Sequence, residues 1–364
     1  MRNRAYGLSI LFVLSLAVTA CGGTSADIKK VGLVTDVGTL EDKSFNEASW
    51  VGAQAGAKAL GGTSSNIVTK AAADYAANIK TFVDQGYGTI VTVGFAMGDA
   101  TTIAAKQYPK VKFIGVDQGV CIDETGKGDP TFACKGDPKT LLPNYQGLVF
   151  KEEQVGYLAG VLAAGVSKTG VIGTVGGINT IPPVVRYING YRNGAASVND
   201  KIDVKVAYVS TDIAKAFNDP GTGKSIAKQM IGLKADVIFQ VAGLSGAGAI
   251  EEACANPGVI GIGVDVDQSK SLPQSAKCIL SSAEKKLTDS VIGAIAKIAA
   301  GTSVGGTTVW DASTTPVGVG LSPYGGDYKD LVTPAIQASI DAALAGMKDG
   351  TIDPCKPTPC DKKD

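Results

Sequence analysis

The sequence predicts an α/β protein made of two doubly wound lobes, and three observations carry that reading. Short Val/Ile-rich runs alternate with longer segments of helical periodicity along most of the chain. The runs are continuously apolar, as strands are when helices cover both faces of a parallel sheet. There are also too many such units for one compact sheet, and 364 residues at about 150 per domain suggest two domains.

The elements follow in order. Residues 31–34 form the first apolar run, closed by Thr35 and Asp36. A helix is predicted from near Ser44, with Phe45, Ala48, Val51, Ala55 and Ala59 on one face and Gly61-Gly62 ending it. Further strands are expected at 67–71, 89–95 and 112–117, and a long loop runs over 119–143. A helix at 152–164 and strands at 170–175, 204–209, 237–241 and 259–264 complete the second series. The loop ending at Asn144 is the expected lobe boundary, with returns across a hinge at 277–282 and 307–317. The expected division is 31–144 plus 279–310 for the first lobe, 145–278 plus 311–352 for the second, and 353–364 as a Cys/Pro-rich tail.

The first twenty residues read as a processing segment. Arg2 and Arg4 precede an apolar run at 10–18 that is too short to span a bilayer, which is the layout of a secretion signal. Val18-Thr19-Ala20-Cys21 resembles a bacterial lipobox, so Cys21 is expected to be lipidated after cleavage. Two acyl groups there would anchor the chain to a membrane stably, where one would not. Residues 21–30 read as a polar tether. The expected location is exported and lipid-anchored to the cell membrane, periplasmic or outward-facing.

Six further cysteines remain, an even number that suits an oxidising compartment. Proximity in sequence favours Cys121–Cys134, Cys254–Cys278 and Cys355–Cys360. No CxxC pair exists, which argues against a metal site. The chain has no His and equal numbers of basic and acidic residues, 34 of each. The first fact removes His-based triads, His-ligated zinc and a His general base. The second gives no footprint for nucleic acid. No cofactor is called for, and a monomer is expected.

Polar or glycine residues recur where strands end: Asp36, Gly94 to Gly98, Asp117, Gly243 and Asp265. In open α/β sheets, ligands bind beyond the carboxyl ends of strands. Two facing lobes would pool these residues into one cleft. An isolated Asp after a strand is usually a turn or capping residue, but three at equivalent places are harder to dismiss. Two other motifs lead nowhere. Pro220 to Ser225 resembles the end of a phosphate loop, but a full loop needs Gly at position 218, where Asn218 stands. It reads as a helix start capped by Thr222 or Ser225. The Gly-rich stretch 243–248 does not spell a dinucleotide fingerprint, and close backbone approach explains it.

Six segments in order, VGLVTDVGTLEDKSFN from Val31, GFAMGDA from Gly94, FIGVDQ from Phe113, FKEEQVGYLAGVLAA from Phe150, GVDVDQ from Gly263 and ILSSAEK from Ile279, closely resemble the basic membrane protein family of PnrA-like purine nucleoside receptor lipoproteins. The resemblance spans nearly the whole chain after the signal. It implies a type I periplasmic-binding-protein fold, two Rossmann-like lobes joined by a hinge, and an ABC permease that receives a purine nucleoside. It also implies the site. Phe45 of the KSFN motif would stack on one face of the base and Phe217 on the other. Asp36, Asn46, Asp117, Asp265 and Lys285 would supply polar contacts, with Lys285 and the carboxylates nearest the ribose. Met97 and Gly243 would wall the cleft. The chemistry suits the assignment, because aromatic faces can sandwich a purine and carboxylates accept paired bonds from hydroxyls. No reaction is expected. A carboxylate-based nucleoside hydrolase and a non-transport surface lipoprotein are the rival classes. The first would release free base, and the second would show no saturable binding of small molecules. The 121–134 segment and the Cys-rich tail depart from the family pattern.

Overall fold

A computed structural model describes residues 26–364. The predicted signal and residues 21–25 of the predicted tether, Cys21 among them, lie outside the described residues. Asp27 to Lys30, assigned to the tether from sequence, instead open the first strand, where the Asp27 amide donates to the Gly86 carbonyl at 3.0 Å.

The first half contains β1 (Asp27–Thr35), α1 (Phe45–Ala59), β2 (Thr63–Ile67), α2 (Tyr75–Asp84), β3 (Tyr87–Val93), α3 (Gly98–Gln107), β4 (Lys112–Val116), α4 (Pro138–Leu141) and β5 (Tyr145–Phe150). The second contains α5 (Glu152–Val166), β6 (Val171–Gly176), α6 (Pro182–Val198), β7 (Asp203–Tyr208), α7 (Ile213–Ala216), α8 (Pro220–Gly232), β8 (Val237–Val241), α9 (Gly243–Ala255), β9 (Ile260–Asp265), α10 (Gln268–Ser271) and β10 (Ile279–Lys285). The chain ends with α11 (Leu287–Ala299), β11 (Gly306–Trp310), β12 (Val319–Leu321) and α12 (Pro334–Asp349).

The strands form two six-stranded sheets, ordered β2-β1-β3-β4-β5-β11 and β7-β6-β8-β9-β10-β12. Counted from its own first strand, the second sheet repeats the order of the first. Both are parallel apart from β12, which runs antiparallel to β10. The order reverses at β1/β3 in one sheet and at β6/β8 in the other, the crevice where doubly wound sheets take ligands. Central strands such as β3 and β8 are buried almost throughout, and this produced their continuous apolar signal.

Three boundaries differ from the sequence expectation. The second strand lies at Thr63–Ile67, not 67–71. It is a half-exposed edge strand with the polar sequence TSSNI, so no apolar run marks it. The chain does not leave the first lobe at Asn144. Residues 145–150 form β5, which pairs with β4 and β11, and the crossing follows Phe150. Residues 279–285 belong to the second sheet, because β10 lies beside β9. The chain crosses back only at Lys286, where α11 begins and packs on α1. A third crossing joins β11 to β12. The three crossings are hydrogen-bonded together: the Lys151 amide donates to the Trp310 carbonyl at 3.0 Å, and the Lys286 amide to the Gly318 carbonyl at 2.9 Å.

Helix α6 sets one wall of the cleft and packs closely on α5. Gly156 and Gly160 on α5 lie on the carbonyls of Tyr187 and Tyr191, while Gly190 and Gly194 on α6 lie on those of Glu153 and Tyr157. A β-carbon at any of the four would collide with backbone, so the two helices touch main chain to main chain. Beyond α12, the tail joins Cys355 to Cys360 and lies on α6. Buried Asn189 and Asn193 donate to tail carbonyls, including Cys360 at 3.0 Å and Thr358 at 2.8 Å. The other two bridges are Cys121–Cys134 and Cys254–Cys278. The start of α8 is capped by Asp219, whose carboxylate accepts from the Thr222 amide at 3.0 Å, and not by Thr222 or Ser225. The former phosphate-loop lookalike is thus a helix N-terminus beside α9.

Candidate functional site

The carboxyl ends of both sheets face one cavity between the lobes, with about 640 Å³ of empty space when its mouth is included. The first lobe contributes Asp36, Asp42, Phe45, Asn46, Gly94 and Asp117. The second contributes Tyr187 and Val184 from α6, Phe217, Gly243, Asp265 and Lys285. Eight of the nine residues singled out from sequence therefore line the cavity. The ninth, Met97, does not. It is fully buried in the first lobe's own core with Val34, Ile90 and Phe113, because the turn after β3 points its side chain inward.

Lys285 lies at the end of β10, on the last residue before the chain crosses between lobes. Its ammonium is 2.6 Å from Asp117 Oδ2, 3.4 Å from Glu152 Oε1 and 3.7 Å from Asp265 Oδ1. It also sits over three rings, 4.8 Å from the centroid of Phe45, 5.4 Å from Phe150 and 5.7 Å from Tyr187. Burial opposes its charge, but Asp117, Glu152 and Asp265 together outweigh burial and hold its pKa above the ordinary lysine value. Three carboxyl groups share this one cation. Burial pushes the carboxyls of Asp117 and Glu152 above their usual range, with Lys285 pulling both back. Asp117 Oδ1 and Glu152 Oε2 are buried without a hydrogen-bond partner in the protein, so the cluster retains capacity to accept donors.

Asp117 and Asp265 end equivalent strands, β4 and β9. Both take left-handed backbone conformations, φ 57° and 65°, which β-branched and most other side chains avoid. Such strain persists only where the surroundings fix it. Here it turns both carboxylates back over the sheet edge toward Lys285.

Asp36 has no cation. Its Oδ1 accepts from the Val37 amide at 2.7 Å, and its carboxylate rests on Gly94, where a β-carbon would overlap it. Gly94 has φ 107°, so both space and backbone demand glycine there. Burial raises the Asp36 carboxyl to about 7, against the pull of the Val37 and Ala96 amides, and Asp117 adds to the rise. Asp42 is also raised to about 7 by burial. It accepts from the amides of Ser44, Asn46 and Glu47 at 3.0, 2.9 and 3.1 Å, closing the first turn of α1. Asn46 spends its amide group on the carbonyls of Val37 and Thr39, and its Oδ1 is buried and unpartnered.

The sequence reading missed Asp42, Glu152 and Tyr187. Asp42 looked like one more polar residue in a loop. Glu152 stood in an EE pair that reads as the acidic first turn of a helix. Tyr187 is one apolar position of α6 among many. Among the described residues, no group of three or more His, Cys, Asp or Glu side chains is arranged to hold a metal ion. No helix among them is long and apolar enough to cross a membrane.

Two repeated doubly wound lobes with a shared cavity define a two-lobed α/β protein of the periplasmic-binding-protein kind. Comparison with known proteins makes the class specific. Residues 29–340 match the family described as ABC transporter substrate-binding protein PnrA-like. The chain is 32% identical over 371 aligned positions to the ABC transporter nucleoside-binding protein BmpA of Lactococcus lactis, covering 94% of this chain and 99% of that one. It is 32% identical over 275 positions to basic membrane protein A of Borreliella burgdorferi, covering 74% and 73%. A solute-binding protein of an ABC transporter from Aeropyrum pernix shares the fold at a TM-score of 0.74 and 23% identity, covering 89% and 92%. The chain belongs to the Bmp family and is an ABC transporter substrate-binding protein.

Proposed function

We propose that the cavity binds a purine nucleoside and that the protein, lipid-anchored through Cys21 on the outer side of the cell membrane, hands it to an ABC permease. The observation that carries this reading is the composition of one cavity. It holds an aromatic side chain from each lobe, Phe45 and Phe217, beside the Lys285–carboxylate cluster. A base between the rings would leave its sugar among groups that accept from and donate to hydroxyls. Asp36, with its carboxyl near 7, can both donate and accept, which suits the edge of a base that carries both kinds of group. The name of the Lactococcus relative, a nucleoside-binding protein, supports the same ligand class.

Calorimetric titration with inosine and with its free base tests the reading. The nucleoside binds saturably and the base more weakly. Asp265→Ala weakens the nucleoside by about 1.5–3 kcal/mol, the cost of losing a charge-assisted bond, and leaves the base nearly unaffected. Equal losses for both would place Asp265 away from the sugar. Appearance of free base during the titration would establish the hydrolase reading instead.

A further inference from the structure

We propose that Ser44, Gln268 and Ser271 are positioning residues that latch the two lobes together over a captured ligand. The chain crosses between lobes after Phe150, at Lys286 and between β11 and β12. The Lys43-Ser44 peptide lies at none of these, yet it is bonded directly to the second lobe. The Lys43 carbonyl accepts from Gln268 Nε2 at 3.2 Å and from Ser271 Oγ at 2.8 Å. The Ser44 hydroxyl donates to Asp265 Oδ2 at 2.7 Å. Lys43 is held in a left-handed conformation, φ 59°, with its amide on Glu47 Oε2, and this aims its carbonyl across the gap.

The second-lobe half of the contact is fixed by buried groups. Gln268 Oε1 accepts from Gln240 Nε2 at 2.6 Å, and Gln240 Oε1 accepts from the Ala242 amide at 2.9 Å. Ala242 and Gly243 wall the cavity. A continuous run of hydrogen bonds therefore leads from that wall, through two buried amide side chains, to the peptide immediately before Phe45. Ser44 makes a second link, from the same peptide to Asp265. Seating Phe45 over the cavity and orienting the Asp265 carboxylate are thus one event.

Lys285 and Asp265 are 4% and 7% exposed, so a ligand reaches them only when the lobes part. Parting breaks the Lys43 and Ser44 bonds, and closing remakes them. Contacts formed after encounter govern release more than capture. The latch therefore sets how long a ligand stays.

The inference uses the nucleoside reading for its probe, and the experiment separates the two. Stopped-flow kinetics with inosine are measured on the full chain and on Ser271→Ala, Ser44→Ala and Ser271→Thr. Each alanine variant releases inosine about two- to tenfold faster, the span of one net hydrogen bond, with an association rate within about twofold of the parent. Ser271→Thr keeps the hydroxyl and releases at the parental rate. Ser271→Ala keeps the parental circular-dichroism spectrum and a single cooperative unfolding transition, which separates a latch from a folding defect. Unaltered release in both alanine variants overturns the proposal. If the parent binds no inosine, the nucleoside reading fails alone, and the latch is judged by small-angle scattering of unliganded chains. A larger radius of gyration for Ser271→Ala than for the parent supports it, and superimposable profiles overturn it.

Discussion

Asp36 and Gly177 occupy the same place in the two lobes, just past the first strand of each sheet. The Asp36 amide donates to the Val93 carbonyl at the end of β3, and the Gly177 amide to the Val241 carbonyl at the end of β8, both at 2.9 Å. What stands there differs. The first lobe puts a buried carboxylate on the neighbouring Gly94, whereas the second leaves a bare glycine on which the ring of Phe217 lies. The next equivalent pair, Asp117 and Asp265, is chemically alike but differently partnered. Asp117 takes the ammonium of Lys285 at 2.6 Å, and Asp265 takes the hydroxyl of Ser44 at 2.7 Å. At this one position the repeated frame therefore presents a carboxylate from the first lobe and an aromatic ring from the second. Duplicating a fold fixes where side chains stand; the residues at the strand ends decide what the cavity recognises.

The largest effect comes from breaking the polar cluster that both lobes share. In Lys285→Met, Asp117, Glu152 and Asp265 lose their shared cation. Breaking a buried pair costs about 3–5 kcal/mol, read as a lower urea midpoint, and inosine binding falls below detection by calorimetry. Retention of parental stability would show that the three carboxylates carry no net charge in the fold.

The aromatic side is weaker and more even. Phe45→Ala and Phe217→Ala each lose about 1–3 kcal/mol of binding, the range for one stacked base. Phe→Tyr at either position loses less. Both rings are only partly buried against the core, so the double alanine variant still folds. Full-strength binding by that variant would eliminate a base between the rings.

The dependence on pH sharpens the contrast between Asp36 and Asp117. Asp36 and Asp42 are raised from 3.8 to about 7 in the folded chain. Between about pH 4 and 7 the folded state therefore holds more protons than the unfolded one. Their contribution to stability is complete below the unfolded pKa and is lost as pH rises through about 7. Asp36→Asn removes the Asp36 share of this slope and leaves the shares of Asp42, Asp117 and Glu152, and urea midpoints across that range measure it. A slope equal to the parent's would show that Asp36 is ionised throughout.

The alternating pattern and the strand-end residues were legible in the sequence, because buried parallel strands leave unbroken Val/Ile runs and ligands collect where those runs stop. The edge strand β2 was not, since a strand with one neighbour and a wet face tolerates TSSNI. Strand β5 was hidden behind Pro143 and Asn144, which look like a terminator until β4 and β11 are seen on either side. Glu152 reaches Lys285 and Tyr187 reaches the cavity with α5 and α6 pressed together at four glycines, a long-range packing that no local pattern encodes. Met97 was misplaced for the opposite reason: it sits in a strand-end motif but turns into the core.

The most direct test of the central claim is mass spectrometry of small molecules released on denaturing protein purified from its native envelope. The account predicts an intact purine nucleoside, one per chain, with no free base. Release of a free base, or of a solute without a purine, would contradict it.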